Sequence, residues 1–101
     1  MSIDLSEAEL CCVRRILRAH LPDQEVWVFG SRVGRVAKRF ADLDLAIVSK
    51  TPLSARQLAL LAEDLSESDL PFRVDLVDWA TAGEEFRRRI AATHEVLLPK
   101  E

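Results

Sequence analysis

Cysteine is scarce in this chain, and its placement excludes two common roles. The only two cysteines, Cys11 and Cys12, are adjacent, and adjacent cysteines seldom form an unstrained disulfide. No histidine lies at zinc-ligand spacing from them. We therefore expect two free thiols on a helix, in a protein that works in a reducing compartment, the cytoplasm.

Long apolar runs and an excess of positive charge are also missing. Nothing in the sequence approaches the ~20 apolar residues of a membrane span, and we find no signal-like apolar stretch. The net charge of −3 at pH 7 argues against broad electrostatic binding to nucleic acid. Four basic residues are clustered instead, namely Arg32, Arg35, Lys38 and Arg39. This cluster favours a small polyanion as the ligand.

The chain also lacks internal repeats, low-complexity tracts and linkers rich in Pro, Gly or Ser. Of its 101 residues, 49% are hydrophobic, which suffices for a core without disulfide staples. We therefore expect residues 1–101 to form a single domain.

Apolar spacing and breaker residues predict the order α-β-α-β-α-β-α. The first helix starts at a capping box, Ser6 with Glu9, and stops before Pro22. The predicted strands are Val26 to Phe29, Asp42 to Val48 and Val74 to Val77, with Val96 to Leu98 as a fourth if that short run pairs. Between the first two strands we expect a short helix from about Ser31 to Ala37. This order indicates an α/β or α+β sandwich around a three- or four-stranded sheet.

Two aspartates open the second predicted strand. Asp42 and Asp44 are two residues apart, so their carboxylates leave the same face of a strand. Two carboxylates held that close repel each other, and a shared proton or a bound cation relieves the repulsion. Mg²⁺ takes carboxylates together with substrate phosphates and fits this position beside a basic segment. The alternative is a pair of solvated acids at the start of a strand.

A Gly-Ser pair closes the first predicted strand. Gly30 at a strand-to-helix turn lets backbone N–H groups approach an anion, and Ser31 adds a hydroxyl donor. Arg32 either reaches a phosphate or lies on the surface. Alone, such a pair is usually only a turn. Next to Asp42 and Asp44 it favours a nucleoside triphosphate bound together with Mg²⁺.

A third acid lies on the third predicted strand. Asp75 and Asp78 are three residues apart and therefore point to opposite faces of a regular strand. One of them can join Asp42 and Asp44 if the two strands are neighbours, and spacing alone does not decide which. Three carboxylates can hold two cations ~3.5–4 Å apart for in-line displacement at phosphorus. The third carboxylate can also accept the proton of an attacking hydroxyl.

These motifs together resemble the signature of the DNA polymerase β nucleotidyltransferase superfamily. The residues that carry the resemblance are Gly30-Ser31, ten intervening residues, Asp42-Leu43-Asp44 and the later run from Val74 to Val77. With its length and N-terminal helix, the chain most resembles the minimal nucleotidyltransferase (MNT) family. The resemblance covers nearly the whole chain and implies a polymerase β-like fold, with a small mixed sheet flanked by helices, that binds MgATP.

Many members of the MNT family are antitoxins, and the resemblance implies the same activity here. Such an antitoxin transfers AMP from ATP to a tyrosine hydroxyl of a HEPN-domain ribonuclease toxin and releases pyrophosphate. The partner would be that toxin, in an assembly whose composition stays open, and neither a membrane nor nucleic acid would be bound directly.

The resemblance also implies which residues act. The residues that would hold the triphosphate are Gly30, Ser31 and Arg32. The residues that would bind Mg²⁺, with two ions expected, are Asp42, Asp44 and Asp75. The same three acids would be the catalytic residues, so the resemblance favours Asp75 over Asp78.

Two departures from the family pattern and two other functions stay open. After Arg32 the family commonly has a small residue, Arg and Gly, whereas here Val33, Gly34 and Arg35 reverse that order, and Ala41 stands where Ser is frequent. Neither departure removes a catalytic group.

The alternative functions are a non-catalytic antitoxin that blocks its toxin by binding, and adenylylation of a small-molecule hydroxyl. Known enzymes that adenylylate small molecules generally carry an additional domain.

Overall fold

The computed structural model describes residues 3–34 and 36–100 of the chain. These residues contain three α-helices, four strands and two 3₁₀ turns at Gly30–Arg32 and Trp79–Thr81. In chain order the elements are α1 (Glu7–His20), β1 (Glu25–Phe29), β2 (Leu43–Val48), α2 (Ala55–Ser66), β3 (Val74–Asp78), α3 (Glu84–Ala92) and β4 (His94–Leu98).

Helix α1 begins at the predicted capping box. The Glu9 N–H donates to the Ser6 hydroxyl at 3.1 Å, and the Ser6 N–H donates to the Glu9 carboxylate at 2.9 Å. This pair satisfies two N–H groups that a helix N-terminus would otherwise leave free. Val13 and Leu17, one turn apart, are the buried residues of α1. In the described part of the chain, no helix has the length and apolar character to span a membrane.

The four strands form one mixed sheet in the order β3-β2-β1-β4. Strand β1 is antiparallel to both β2 and β4, whereas β2 and β3 run parallel. The short C-terminal run does pair, as an edge strand. The predicted fold class, a small mixed sheet flanked by helices, is therefore confirmed.

The sheet has one fully buried face and one face that carries acids. Helices α1 and α2 cover the buried face, whose strand residues are Val26, Val28, Leu43, Leu45 and Ile47. Because side chains alternate along a strand, Trp27, Asp44 and Ala46 point to the opposite face. Helix α3 packs on that side, where Phe86 meets Phe29 edge-to-face with ring centroids 5.9 Å apart. The acids therefore lie on the α3 side of the sheet.

The predicted helix from Ser31 to Ala37 is wrong. Of the described residues between β1 and β2, only Gly30–Arg32 form a helical turn, and that turn is 3₁₀. Val33 then leaves the turn with extended backbone, and Gly34 has a φ of +72°, which is outside the right-handed helical region. A positive φ breaks the helical path, and residues 36–42 approach β2 without a helix or strand.

Candidate active site

The strand register brings Asp44 and Asp75 side by side. The parallel pairing of β2 with β3 makes the two residues Cα partners, so their carboxylates leave the same face of the sheet. Asp42 lies two residues before Asp44, immediately ahead of β2. The three acids that the sequence places on two separate strands are therefore neighbours at one end of the sheet.

Asp78 has a structural role instead. It points to the opposite face of β3, where its Oδ2 accepts from the Leu53 N–H at 2.9 Å and its Oδ1 accepts from the Ala80 N–H at 3.2 Å. Both carboxylate oxygens are therefore used to hold loop backbone. The geometry agrees with the choice of Asp75 that the sequence resemblance implied.

A cation already lies between two of the acids. The Arg73 guanidinium is 3.2 Å from Asp42 and 3.8 Å from Asp75 (nitrogen to carboxylate oxygen), and the Arg73 side chain is 75% exposed. An exposed ion pair of this kind contributes little to stability and is easily exchanged. The arginine shows that positive charge is favoured between these carboxylates. Arg73 was not among the predicted site residues, although its position two residues before Asp75 could have indicated it.

The electrostatics of the site centre on Asp44. Burial raises the pKa of the Asp44 carboxyl above its usual value, and the negative charges of Asp75 and then Asp42 raise it further. Each of these effects disfavours the ionised form. A divalent cation would oppose all of them.

The glycine turn lies directly against this acid. Gly30 has a φ of +80°, a left-handed conformation that glycine adopts without strain. Phe29, the preceding residue, is the β1 partner of Asp44. A Cβ atom added at Gly30 would overlap the Asp44 carboxylate. Ser31 is half-buried in the same turn, and a cavity of about 390 Å³ opens beside Gly30.

Arg32 is placed differently from its neighbours in the motif. Its side chain is buried, and its guanidinium donates to the backbone carbonyls of Asp4, Arg39 and Ala41 at 2.9–3.1 Å. The guanidinium carbon also lies 4.2 Å from the centre of the Phe72 ring. All three nitrogens are thus committed to the protein, which does not favour the direct phosphate contact expected from the sequence.

The carboxylates fit a divalent cation together with a substrate. Among residues 3–34 and 36–100, no three Asp, Glu, His or Cys side chains are arranged to hold a metal ion, so the protein alone does not complete a cage. Mg²⁺ commonly takes one or two carboxylates plus phosphate oxygens. The oxygen donors, the raised pKa of Asp44 and the guanidinium between Asp42 and Asp75 all favour a cation here.

Comparison with protein families decides the class of the molecule. The family described as "Polymerase beta, Nucleotidyltransferase" matches residues 13–101, a range that contains the glycine turn and all three acids. The chain belongs to this nucleotidyltransferase family. Its predicted family and enzyme class, a nucleotidyltransferase, are confirmed.

Individual relatives of this nucleotidyltransferase carry more specific names. A Haemophilus influenzae protein, "Probable protein adenylyltransferase MntA", is 50% identical over 99 residues, which are 98% of this chain and 87% of the relative. A solved toxin–antitoxin structure with AMP-PNP has a TM-score of 0.76 at 25% identity, over 91% of this chain and 74% of that one. A tri-AMPylated Shewanella oneidensis HEPN toxin in complex with an MNT antitoxin gives 0.68 at 24% identity, over 88% and 68%, which shows the fold alone. These names agree with the function predicted from the sequence.

Substituting Gly30 tests the close approach of the turn to Asp44. We expect Gly30→Ala to lower the free energy of unfolding by at least about 1–3 kcal/mol, because the left-handed backbone is strained for alanine and the new methyl group meets a carboxylate. Urea unfolding measures this change. Gly83→Ala is the matched control, since its Cβ would meet no atom within 4 Å, and a change within about 0.5 kcal/mol is expected there. Equal behaviour of the two variants would contradict the packing described.

The repulsion at Asp44 predicts a pH-dependent gain in stability on its removal. Because the pKa of Asp44 is raised above its unfolded value of 3.8, stability is greatest with the carboxyl protonated and is lost as the pH rises through the folded-state pKa. Without divalent metal, Asp44→Asn should therefore unfold at a higher temperature than the wild type at pH 7. The advantage should shrink as the pH falls towards 3.8.

Asp78→Asn is the control for this measurement. An asparagine has one side-chain oxygen where Asp78 uses two, so a loss of about 1–3 kcal/mol is expected. An Asp44→Asn protein that is less stable than the wild type at pH 7 would show that the acid is not under electrostatic stress.

A lysine at position 32 separates the two roles of Arg32. Lysine keeps the positive charge but lacks the planar fork that reaches three carbonyl groups. If the guanidinium holds backbone, Arg32→Lys should lower stability by about 1–3 kcal/mol, the cost of unsatisfied buried groups. Chemical denaturation of the nucleotide-free protein measures this. An unchanged free energy of unfolding would contradict this backbone role and favour Arg32 as a direct phosphate ligand.

Proposed function

We propose that this protein is a Mg²⁺-dependent adenylyltransferase that transfers AMP from ATP to a tyrosine hydroxyl of a HEPN-domain toxin and thereby acts as its antitoxin. One observation carries the proposal: Asp44 and Asp75 are register partners on parallel strands, beside a glycine turn that leaves no room for a side chain. The 50% identical relative named as a probable protein adenylyltransferase supports the type of acceptor.

The triphosphate is held at the turn after β1. Gly30 offers backbone that an anion can approach closely, because no Cβ intervenes, and Ser31 offers a hydroxyl donor. Arg32 contributes by holding the segment that connects this turn to Asp42, since its guanidinium donates to the Ala41 carbonyl. In this proposal Arg32 is a positioning residue.

Asp42 and Asp44 would hold Mg²⁺, with Asp75 as the third carboxylate next to them. The ion, when bound, would neutralise phosphate charge and stabilise the negative charge that develops in the reaction. Arg73 must release Asp42 and Asp75 for this arrangement to form, and its exposure permits that movement.

Asp75 receives the proton of the acceptor. Its carboxylate is about half exposed and adjoins Asp44 on the outer strand of the sheet, so a hydroxyl from a partner can approach it. The tyrosine oxygen forms a bond to the α-phosphorus, the bond between that phosphorus and the α,β-bridging oxygen breaks, and pyrophosphate leaves with that oxygen. The tyrosine proton passes to the Asp75 carboxylate.

The organisation and the compartment of the protein complete the proposal. We propose that residues 1–101 act as one domain, since most of the buried apolar side chains form one core cluster. We also propose the cytoplasm as the compartment, because Cys11 and Cys12 are free thiols on α1 and such thiols persist in reducing surroundings.

Transfer of labelled AMP tests the proposal. Wild-type protein incubated with Mg²⁺, ATP labelled in the α-phosphate and its cognate HEPN partner should label the partner. The double variant Asp42→Asn with Asp44→Asn, and the single variant Asp75→Asn, should each lower the rate by at least ~10²-fold, because charge stabilisation and proton transfer are lost. Asp23→Asn, an exposed acid in the turn before β1, is the matched control and should keep the wild-type rate.

The same variants distinguish catalysis from simple binding. If AMP transfer neutralises the toxin, the double variant should fail to protect cells that produce the toxin, although it still folds. Full protection by a variant that transfers no AMP would favour the non-catalytic antitoxin. Labelling of the partner that survives the double substitution would remove the proposed mechanism.

A further inference from the structure

The segment of residues 36–40 presents apolar side chains to solvent next to the site. Val36 is 91% exposed and Phe40 is 65% exposed, which makes them the most exposed large apolar side chains among the described residues. The other exposed large apolar side chains of the described residues, Leu60, Phe86 and Val96, are 39–44% exposed. Apolar side chains concentrated in this way on a surface typically mark an interaction site.

The backbone of this segment is held in place from inside. The Ala37 N–H donates to the Asp4 carboxylate at 2.7 Å, and the Arg32 guanidinium donates to the Arg39 carbonyl at 3.1 Å. A turn bond from the Ala41 N–H to the Lys38 carbonyl, 3.0 Å long, closes the segment. With the backbone fixed in this way, less conformational entropy is lost when the outward side chains meet a partner.

The charge of the segment is uniformly positive. Lys38 and Arg39 are exposed, and residues 31–41 contain no acid. In the described part of the structure, neither side chain forms an ion pair, while the Arg39 guanidinium lies 5.2 Å from the centre of the Phe40 ring. Arg35 lies outside the described residues. In a protein of net charge −3, this surface is complementary to an acidic one.

The segment also ends at the site. Phe40 precedes Asp42 by two residues, which corresponds to at most ~7 Å of backbone. A protein that covers Phe40 therefore lies within reach of Asp42.

We propose that the 36–40 segment is the surface on which the acceptor protein docks. Phe40 and Val36 are buried in an apolar patch of the partner, and carboxylates around that patch pair with Lys38 and Arg39. This docking places the acceptor hydroxyl at Asp75. The inference rests on the proposed function, because it specifies how the partner of that reaction is recognised.

The experiment compares the KM for the partner with the affinity for nucleotide. One variant combines Phe40→Ser with Val36→Ser, and a second combines Lys38→Glu with Arg39→Glu. The matched control combines Val96→Ser with Lys50→Glu, which are exposed residues on other parts of the surface.

Each protein is assayed for AMP transfer to the HEPN partner, for direct binding of that partner by calorimetry, and for binding of AMP-PNP with Mg²⁺ without the partner. Because all substituted side chains are exposed, folding is checked by the unfolding temperature alone.

Both variants should raise the KM and the Kd for the partner at least ~10-fold, as expected when an aromatic anchor or its charged rim is lost. Their kcat at saturating partner and their affinity for AMP-PNP should stay within ~3-fold of the wild type. Partner binding by the wild type should weaken with added salt, and the Lys38→Glu with Arg39→Glu protein should lose that dependence.

Three results would overturn the proposal. The first is an unchanged Kd for the partner in both variants. The second is a loss of AMP-PNP affinity in place of partner affinity, which would make the segment part of the nucleotide site. The third is a concentration-dependent dimer of the free wild type that Phe40→Ser with Val36→Ser abolishes, which would make the surface a self-association site. Direct binding distinguishes a failure of the docking proposal from a failure of the proposed reaction. A partner that binds through residues 36–40 but is not labelled with AMP would support the docking surface and contradict AMP transfer.

Discussion

Three carboxylates held together at a partly buried position are the constraint on which the rest of this structure depends. The parallel pairing of β2 and β3 sets Asp44 beside Asp75. Burial first, and then the charges of Asp75 and Asp42, raise the pKa of Asp44 and so disfavour its ionised form. Such an arrangement is unfavourable for stability in the absence of a counter-charge. Under the proposed function, a cation that accompanies the substrate would supply the counter-charge, and substrate binding would then relieve the repulsion in the free protein.

The fold holds this arrangement in place with charged side chains that bind backbone groups of the protein itself. Asp78 uses both carboxylate oxygens to hold the backbone at the far end of β3. Arg32 joins the N-terminal segment to the residue before Asp42 and packs on Phe72, which precedes β3. The buried Arg32 and the buried aliphatic face of the sheet thus position β2 and β3, the strands that carry Asp44 and Asp75. Stability is concentrated on the α1 and α2 side, and chemistry on the α3 side.

Much of this could be predicted from the sequence because the signals are local. The capping box predicted the start of α1, as the structure has it. Strand periodicity predicted Asp42 and Asp44 on one face, and the structure has Asp44 on β2 with Asp42 immediately before that strand. The choice between Asp75 and Asp78 could not be made from spacing, because it depends on the register between two strands separated by a helix. Only the resemblance to a family favoured Asp75.

Other features depend on contacts between distant residues and were therefore not predicted. A helix after Ser31 was expected because its composition permits one, but the positive φ of Gly34 ends the turn early. Arg32 was expected to face a phosphate, and its burial follows from carbonyl groups of Asp4 and Ala41 that fold around it. The pairing of Arg73 with two acids likewise requires the finished sheet.

The location of the cation is the most direct test of this account. A crystal of the protein grown with Mn²⁺ and AMP-PNP would show the metal by its anomalous scattering. We expect a peak within coordination distance of Asp42 and Asp44 and of a phosphate oxygen, with the Arg73 guanidinium moved away. A nucleotide bound at another place, or a metal that contacts none of the three aspartates while Arg73 still bridges Asp42 and Asp75, would contradict it.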